Sequence, residues 1–301
     1  MTFSTNHSPE PTWKTVIRLL RWNKPAGRLI LMLPALWAIV LASHSVEPGR
    51  LPDVLLFGVI VFGSLATSAA GCVANDLWDR NIDPNVERTK NRPLASRALT
   101  VKTGIVVMLV AFLCAGGLAL YLTRLSFGLC VAAIPFIVLY PLAKRFFPVP
   151  QLVLSLAWGF AVLISWTAVT ASLDSVTWLL WGAVIMWTMG FDTVYAMSDR
   201  DDDIKVGVNS SALFFGKWAA EAVLAFFVAT AVLLLKVGSL LQLNAWYVGS
   251  VGISMALWVW QYLQLRPSHP PAHIFGKVFG QNVWIGFILL AGMILGSTLY
   301  L

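Results

Sequence analysis

Charge and cysteine are both scarce in this 301-residue chain. Asp, Glu, Lys and Arg together make up 12% of it, where a soluble globular domain carries roughly 25%. Hydrophobic residues make up 58%, and the mean hydropathy is +0.77. So few charges cannot cover so much apolar surface in water, which excludes a soluble domain and makes lipid the solvent. The three cysteines, Cys72, Cys114 and Cys130, are odd in number and lack metal-finger spacing. They exclude a disulfide framework and read as small apolar helix residues. Alternation of apolar and polar residues is missing too, which excludes a β-barrel. The amino terminus has no basic start followed by an apolar run and a small-residue cleavage site. Its first 12 residues, polar and carrying Pro9 and Pro11, read as a disordered tail rather than a signal peptide.

What the chain does have is long apolar runs. Crossing the hydrocarbon core takes about 20 apolar residues in a helix. Nine candidates run near Gly27–Ser43, Val54–Ala74, Val101–Leu122, Ser126–Ala143, Pro150–Ala171, Val176–Met197, Ser211–Val237, Ala245–Leu265 and Val278–Leu301. The expected fold is all-α, an integral membrane bundle of nine transmembrane helices. Residues 1–26 form a tail and interfacial segment, and residues 27–301 the transmembrane domain.

Lys and Arg placement orients the bundle. With nine spans, 18 of the 21 basic residues fall on one side, and only Arg50, Arg124 and Lys236 on the other. The amino terminus and the even-numbered loops are therefore expected in the cytoplasm, with the chain in the inner (plasma) membrane. This placement also explains the net charge of +7 without nucleic acid as a partner. No obligate protein partner is evident; membrane lipid is.

Acid is distributed differently. Of 14 Asp and Glu, four stand in the loop after the second span (Asp76, Asp79, Asp83, Glu87) and four in the loop after the sixth (Asp199, Asp201, Asp202, Asp203). By parity both stretches lie on the same face of the membrane. If the second helix continues, Asp76, Asp79 and Asp83 share a face, with Asn75 one turn from Asp79; Asp199 and Asp203 are also one turn apart. Two like charges at 4 Å cost about 4 kcal/mol at an effective dielectric of 20, so each cluster needs a counter-cation. A solvated charged loop is the plain alternative, but carboxylates at this spacing can share a magnesium ion, which takes one or two carboxylates plus substrate phosphate and water. The candidate metal ligands are Asn75, Asp76, Asp79, Asp83, Asp199 and Asp203.

Basic residues follow closely: Arg88, Lys90 and Arg92 after the first cluster, then Lys144, Arg145 and Lys205 on the same face. They are candidates for the non-bridging oxygens of a diphosphate; their other reading is as anchors to lipid headgroups. Asp192 lies inside the sixth span, two turns deeper than Asp199. An ionisable group within a span is a functional candidate, here for hydrogen bonding an acceptor or Tyr195.

These residues resemble the UbiA superfamily of membrane prenyltransferases. Asn75 to Asp83 fits N-D-x-x-D-x-x-x-D at every position, and Asp199 to Asp203, preceded by Tyr195-Ala196, fits the second D-x-x-x-D motif. Arg88 to Pro93, Tyr140 to Arg145, and Lys24 to Arg28 leading into Leu33 to Trp37 are similar as well; Asn23 departs from the Asp common at that position. Within the family the likeness is greatest to 4-hydroxybenzoate polyprenyltransferases of the cyanobacterial, solanesyl-transferring kind, a likeness supported by Gly207 to Gly216. The resemblance implies nine helices around a central cavity capped by the motifs, with a side opening to lipid. It implies Mg²⁺ as cofactor, and polyprenyl diphosphate and 4-hydroxybenzoate as substrates in quinone (plastoquinone- or ubiquinone-type) synthesis. It places Asp76, Asp79, Asp83, Asp199 and Asp203 in catalysis, and Asp192 joins them from its position inside the sixth span. A carboxylated acceptor wants a cation, and Arg21, Lys24 and Arg28 at the mouth of the first span are the candidates. Homogentisate or chlorophyllide is the alternative acceptor. From another class, a secondary transporter is the rival, though its ionisable groups would be expected nearer the midplane.

Overall fold

The computed structural model describes residues 11–23, 26–267 and 270–298, so the acceptor candidate Lys24 lies outside the described residues. All regular structure among them is helical. In chain order the helices are α1 (Thr12–Leu19), α2 (Ala26–Val46), α3 (Val54–Asp79), α4 (Val101–Ala119), α5 (Arg124–Leu139), α6 (Pro150–Thr170), α7 (Ser175–Ser198), α8 (Arg200–Val206), α9 (Ser211–Phe215), α10 (Ala219–Leu240), α11 (Ala245–Leu265) and α12 (Ala272–Thr298).

The starts follow local chemistry. Asp53, Thr100 and Thr123 cap α3, α4 and α5 by accepting from backbone N–H groups inside the first turn. Asp174 and Thr177 form a reciprocal capping box on α7. Pro150 opens α6, where its missing N–H costs nothing.

Among the described residues, eight segments are long and apolar enough to cross a membrane. Nine spans were expected from the sequence. The difference is α11, which has 21 residues but carries Tyr247, Ser250, Ser254, Gln261, Tyr262 and Gln264. Several expected boundaries also move. α3 runs past Ala74 to Asp79 and so carries the first acidic residues on a helix. α5 stops at Leu139 and a 3-10 helix covers Tyr140–Arg145, because Pro141 cannot continue the α-helical ladder. The expected span from Ser211 to Val237 is broken between α9 and α10 at Gly216, whose φ of +55° falls in the left-handed half of the map.

α3 and α4 pack as a hairpin, α2 lies against α6 and α12, and α7 lies between α6 and α10. The core is dense and aromatic around α2, α7, α10, α11 and α12. Trp37 and Trp187 meet at 4.7 Å, and Phe227 stacks on Trp258 at 4.9 Å. Asn282 is wholly buried and satisfied: its Oδ1 accepts from Trp187 Nε1 (3.2 Å) and Trp258 Nε1 (3.0 Å), and its Nδ2 donates to Gln261 Oε1 (3.1 Å). That network pins three helices at one point in a medium where an orphaned polar group is costly. By contrast α4 is almost wholly exposed, with Val106, Leu109, Val110 and Leu113 outward. Such a surface is stable only against lipid.

Candidate active site

Between α2 and α7 lies a cavity of about 730 Å³. Its walls are mostly apolar, from Val59 and Ile60 on α3 through Leu122, Phe127 and Ile134 to Trp158 and Phe191. One end is polar, lined by Asn75, Arg88, Arg92, Tyr140, Lys144, Asp192, Tyr195, Asp199, Asp203 and Asn209.

The two acidic segments meet at that end. α3 carries Asn75, Asp76 and Asp79 on its last turns, and α7 hands over to α8 at Asp199. Arg88 spans the gap. Its Nε donates to Asp199 Oδ1 (3.0 Å), its Nη2 pairs with Asp199 Oδ2, and its Nη1 donates to Tyr195 Oη (2.7 Å). The guanidinium also sits 4.4 Å from the Tyr195 ring centre. The backbone N–H of Glu87 reaches Asp202 (3.3 Å), a second strap between the segments.

Asn75, Asp199 and Asp203 line the cavity, while Asp76, Asp79 and Asp83 stand just behind it, each buried and faced by a cation. Asp76 pairs with Arg21 (2.7 Å) and Arg92 (3.2 Å), Asp83 with Arg92 (2.8 Å), and Asp79 Oδ2 with Lys144 (3.3 Å). Asp79 Oδ1 is buried with no hydrogen-bond partner, an expensive state for a carboxylate oxygen. Burial pushes the Asp83 carboxyl above its usual range, against the pull of Arg92. Burial likewise raises Asp203 to about 6, against a hydrogen bond from Ser210.

Three basic candidates go elsewhere. Lys90 pairs with Glu87 (2.7 Å) and Lys205 with Asp202 (3.3 Å), each one helical turn away at the exposed surface. Arg145 donates to Trp78 O (2.9 Å) on the outer side of α3. None of the three lines the cavity, so Lys90→Ala and Lys205→Ala are expected to leave donor KM within about twofold. A tenfold rise in either, in a steady-state assay with varied prenyl diphosphate, would return that lysine to the site. Asp192 lines the cavity, while the Tyr195 hydroxyl accepts from Arg88 and makes no hydrogen bond to Asp192.

The acceptor candidates also part company. Arg21 is committed to Asp76. Arg28 is buried and lines the cavity; its Nε donates to Arg21 O (3.3 Å), its guanidinium lies 5.3 Å from the Trp22 ring centre, and Nη1 and Nη2 have no hydrogen-bond partner. Uncharged residues add what charge patterning could not signal. Tyr140 donates to Asn75 Oδ1 (3.2 Å) and fixes that amide. Gln151 lines the cavity and accepts from Ser211 N (2.7 Å), and Asn209 N donates to Lys144 O (2.8 Å), which ties the end of α8 to the turn after α5.

Known proteins resemble this chain in sequence and in fold. The model of the UbiA prenyltransferase family matches residues 31–284. A 4-hydroxybenzoate solanesyltransferase from Synechocystis is 62% identical over 98% of this chain and 99% of its own length. A 4-hydroxybenzoate octaprenyltransferase from Nitrosomonas europaea is 35% identical over 93% of this chain and 94% of its own. Among solved structures, a UbiA homologue from Aeropyrum pernix superposes with a TM-score of 0.76 at 23% identity, covering 89% of this chain and 97% of that one. Another from Archaeoglobus fulgidus, bound to GPP and Mg²⁺, gives 0.66 at 18% identity, covering 92% and 99%. With its fold, its paired acidic segments and a match across most of its length, the chain belongs to the UbiA prenyltransferase family.

Proposed function

We propose that this protein transfers a long polyprenyl group from polyprenyl diphosphate to a ring carbon of 4-hydroxybenzoate, in synthesis of a quinone of the plastoquinone or ubiquinone type. The carrying observation is the convergence of two acidic segments and their arginines over the mouth of an apolar cavity. The near-full-length relative named 4-hydroxybenzoate solanesyltransferase supports the acceptor and the long tail. From Asn75 back to Val59 the cavity follows α3 for roughly 24 Å at 1.5 Å per residue, an apolar depth suited to isoprene units.

The donor set fits magnesium. Asp79 Oδ1 is buried and unsatisfied, and among the described residues no three acidic, His or Cys side chains enclose an ion by themselves. That suits a cation whose shell is completed by substrate phosphate and water. Asn75, Asp76, Asp79 and Asp83 would hold magnesium ions on one side and Asp199 and Asp203 on the other, and the bound ions would neutralise the leaving diphosphate. Lys144 and Arg92 line the cavity and cover these carboxylates. They would add positive charge at the diphosphate oxygens, and Arg88 would add a third positive group.

In the reaction the allylic carbon–oxygen bond breaks and diphosphate departs with the electron pair. The ring carbon ortho to the phenol oxygen bonds to the allylic carbon, and the proton on that ring carbon passes to a base. Asp192 faces the cavity two turns below Asp199, within the fields of Lys144 and Arg88, and is placed to take it. The apolar walls exclude water, which would capture the allylic cation, and the rings of Trp158 and Phe191 offer it π faces. Arg28 offers two NH₂ groups, Nη1 and Nη2, to the acceptor carboxylate. Nine membrane spans, α11 included, with the site facing the cytoplasm, complete the proposal; the basic residues gathered at this end support that sidedness.

The test is a membrane assay with labelled solanesyl diphosphate and 4-hydroxybenzoate, homogentisate or chlorophyllide, with and without Mg²⁺. Prenylated 4-hydroxybenzoate that requires Mg²⁺ is the expected product. Product with another acceptor alone would overturn the assignment.

A further inference from the structure

Just outside the catalytic cavity, a second cavity of about 460 Å³ opens to the surface, lined by Trp78, Arg80, Asn81, Ile82, Arg145 and residues 206–208. No acidic side chain lines it. Arg80 Nη1 donates to Leu77 O (2.7 Å) and Arg145 Nη2 to Trp78 O (2.9 Å); behind the wall, Arg97 Nη2 donates to Asn81 Oδ1 (3.0 Å). None of these arginines pairs with a carboxylate among the described residues, unlike Arg21, Arg88 and Arg92 nearby. A guanidinium carries five N–H donors, so each keeps most of its donors free. Two cations facing one cavity repel, and an anion between them reverses the sign of that interaction. The cavity lies where α3 ends and the chain leaves α5, beside Phe146, which is 75% exposed. That is headgroup level, where basic pockets between spans take lipid phosphates.

We propose that this cavity is a second anion site, which takes a phosphate group between Arg80 and Arg145. The phosphate belongs either to the headgroup of an acidic phospholipid or to free phosphate or pyrophosphate. Lys144 and Arg145 thus serve opposite sides of one turn: Lys144 faces the catalytic cavity and Arg145 the outer one. An occupant touches residues 206–208, directly before Asn209, whose N–H holds Lys144 O at 2.8 Å. It therefore braces the second acidic segment against the lysine that faces Asp79. The proposal stands independently of the reaction assigned above.

The experiment is native mass spectrometry of the full chain in detergent with phosphatidylglycerol and phosphatidylcholine, for wild type and the Arg80→Gln/Arg145→Gln double variant. Wild type is expected to retain phosphatidylglycerol at least tenfold more than the double variant, with equal retention of phosphatidylcholine. A competition arm adds millimolar phosphate or pyrophosphate. Undisturbed lipid identifies the headgroup as occupant, and displacement identifies the soluble anion; both support the site. Arg145→Lys, which keeps the charge and loses the fork, is expected to lower retention at least threefold and remains informative if the double variant does not fold. Retention unchanged in Arg145→Lys, or equal in wild type and the double variant with no effect of either anion, would overturn the proposal.

Discussion

Asp79→Asn is expected to lower kcat by about a thousandfold, near 4 kcal/mol of barrier at roughly 1.4 kcal/mol per tenfold. The substitution barely changes volume, so packing at the end of α3 is preserved. What changes is charge. Asp79 Oδ1 is buried without a donor, and Oδ2 faces Lys144 at 3.3 Å. A neutral amide oxygen holds a divalent cation far more weakly than a carboxylate and cannot balance Lys144, and loss of an electrostatic group at the reacting charge costs a hundredfold or more. Single-turnover assays at saturating donor check it. A fall of less than tenfold would remove Asp79 from the machinery and leave it as a structural partner of Lys144.

Arg28→Ala is expected to act on the other substrate. A charge-assisted hydrogen bond to a buried carboxylate contributes about 2–3 kcal/mol, so acceptor KM should rise roughly 30- to 150-fold while donor KM stays nearly constant. The reason lies in the division of labour at the first span. Arg21 is held by Asp76, whereas Nη1 and Nη2 of Arg28 are buried and unpartnered beside the cavity. Steady-state kinetics with varied 4-hydroxybenzoate decide it. An unchanged acceptor KM would assign the carboxylate to another cation.

The acidic pairs were legible before the structure because helical spacing and loop parity are enough to put Asp79 and Asp199 on one face of a membrane. Side-chain direction was not. Lys144 and Arg145 are neighbours in sequence, yet a 3-10 turn rotates successive residues about 120° apart, so one reaches Asp79 and the other Trp78 O. Lys90 and Lys205 looked equivalent to Arg88 and Arg92 on charge alone, but each has an acidic partner three residues away. Nor does hydropathy register that α3 keeps its helix for five residues beyond Ala74, or that Gly216 breaks the run before α10. Tyr140, Gln151 and Asn209 carry no charge, and only the fold reveals their hydrogen bonds to the site.

The shared grip of both acidic segments on one diphosphate is open to direct measurement. Binding of a non-reacting polyprenyl thiolodiphosphate to the purified protein can be followed calorimetrically with Mg²⁺ for wild type, Asp79→Ala and Asp199→Ala. Tight binding is expected only with Mg²⁺, and either alanine alone should weaken it at least tenfold. Binding that survives the loss of one segment's carboxylate, or that needs no divalent cation, would contradict the account.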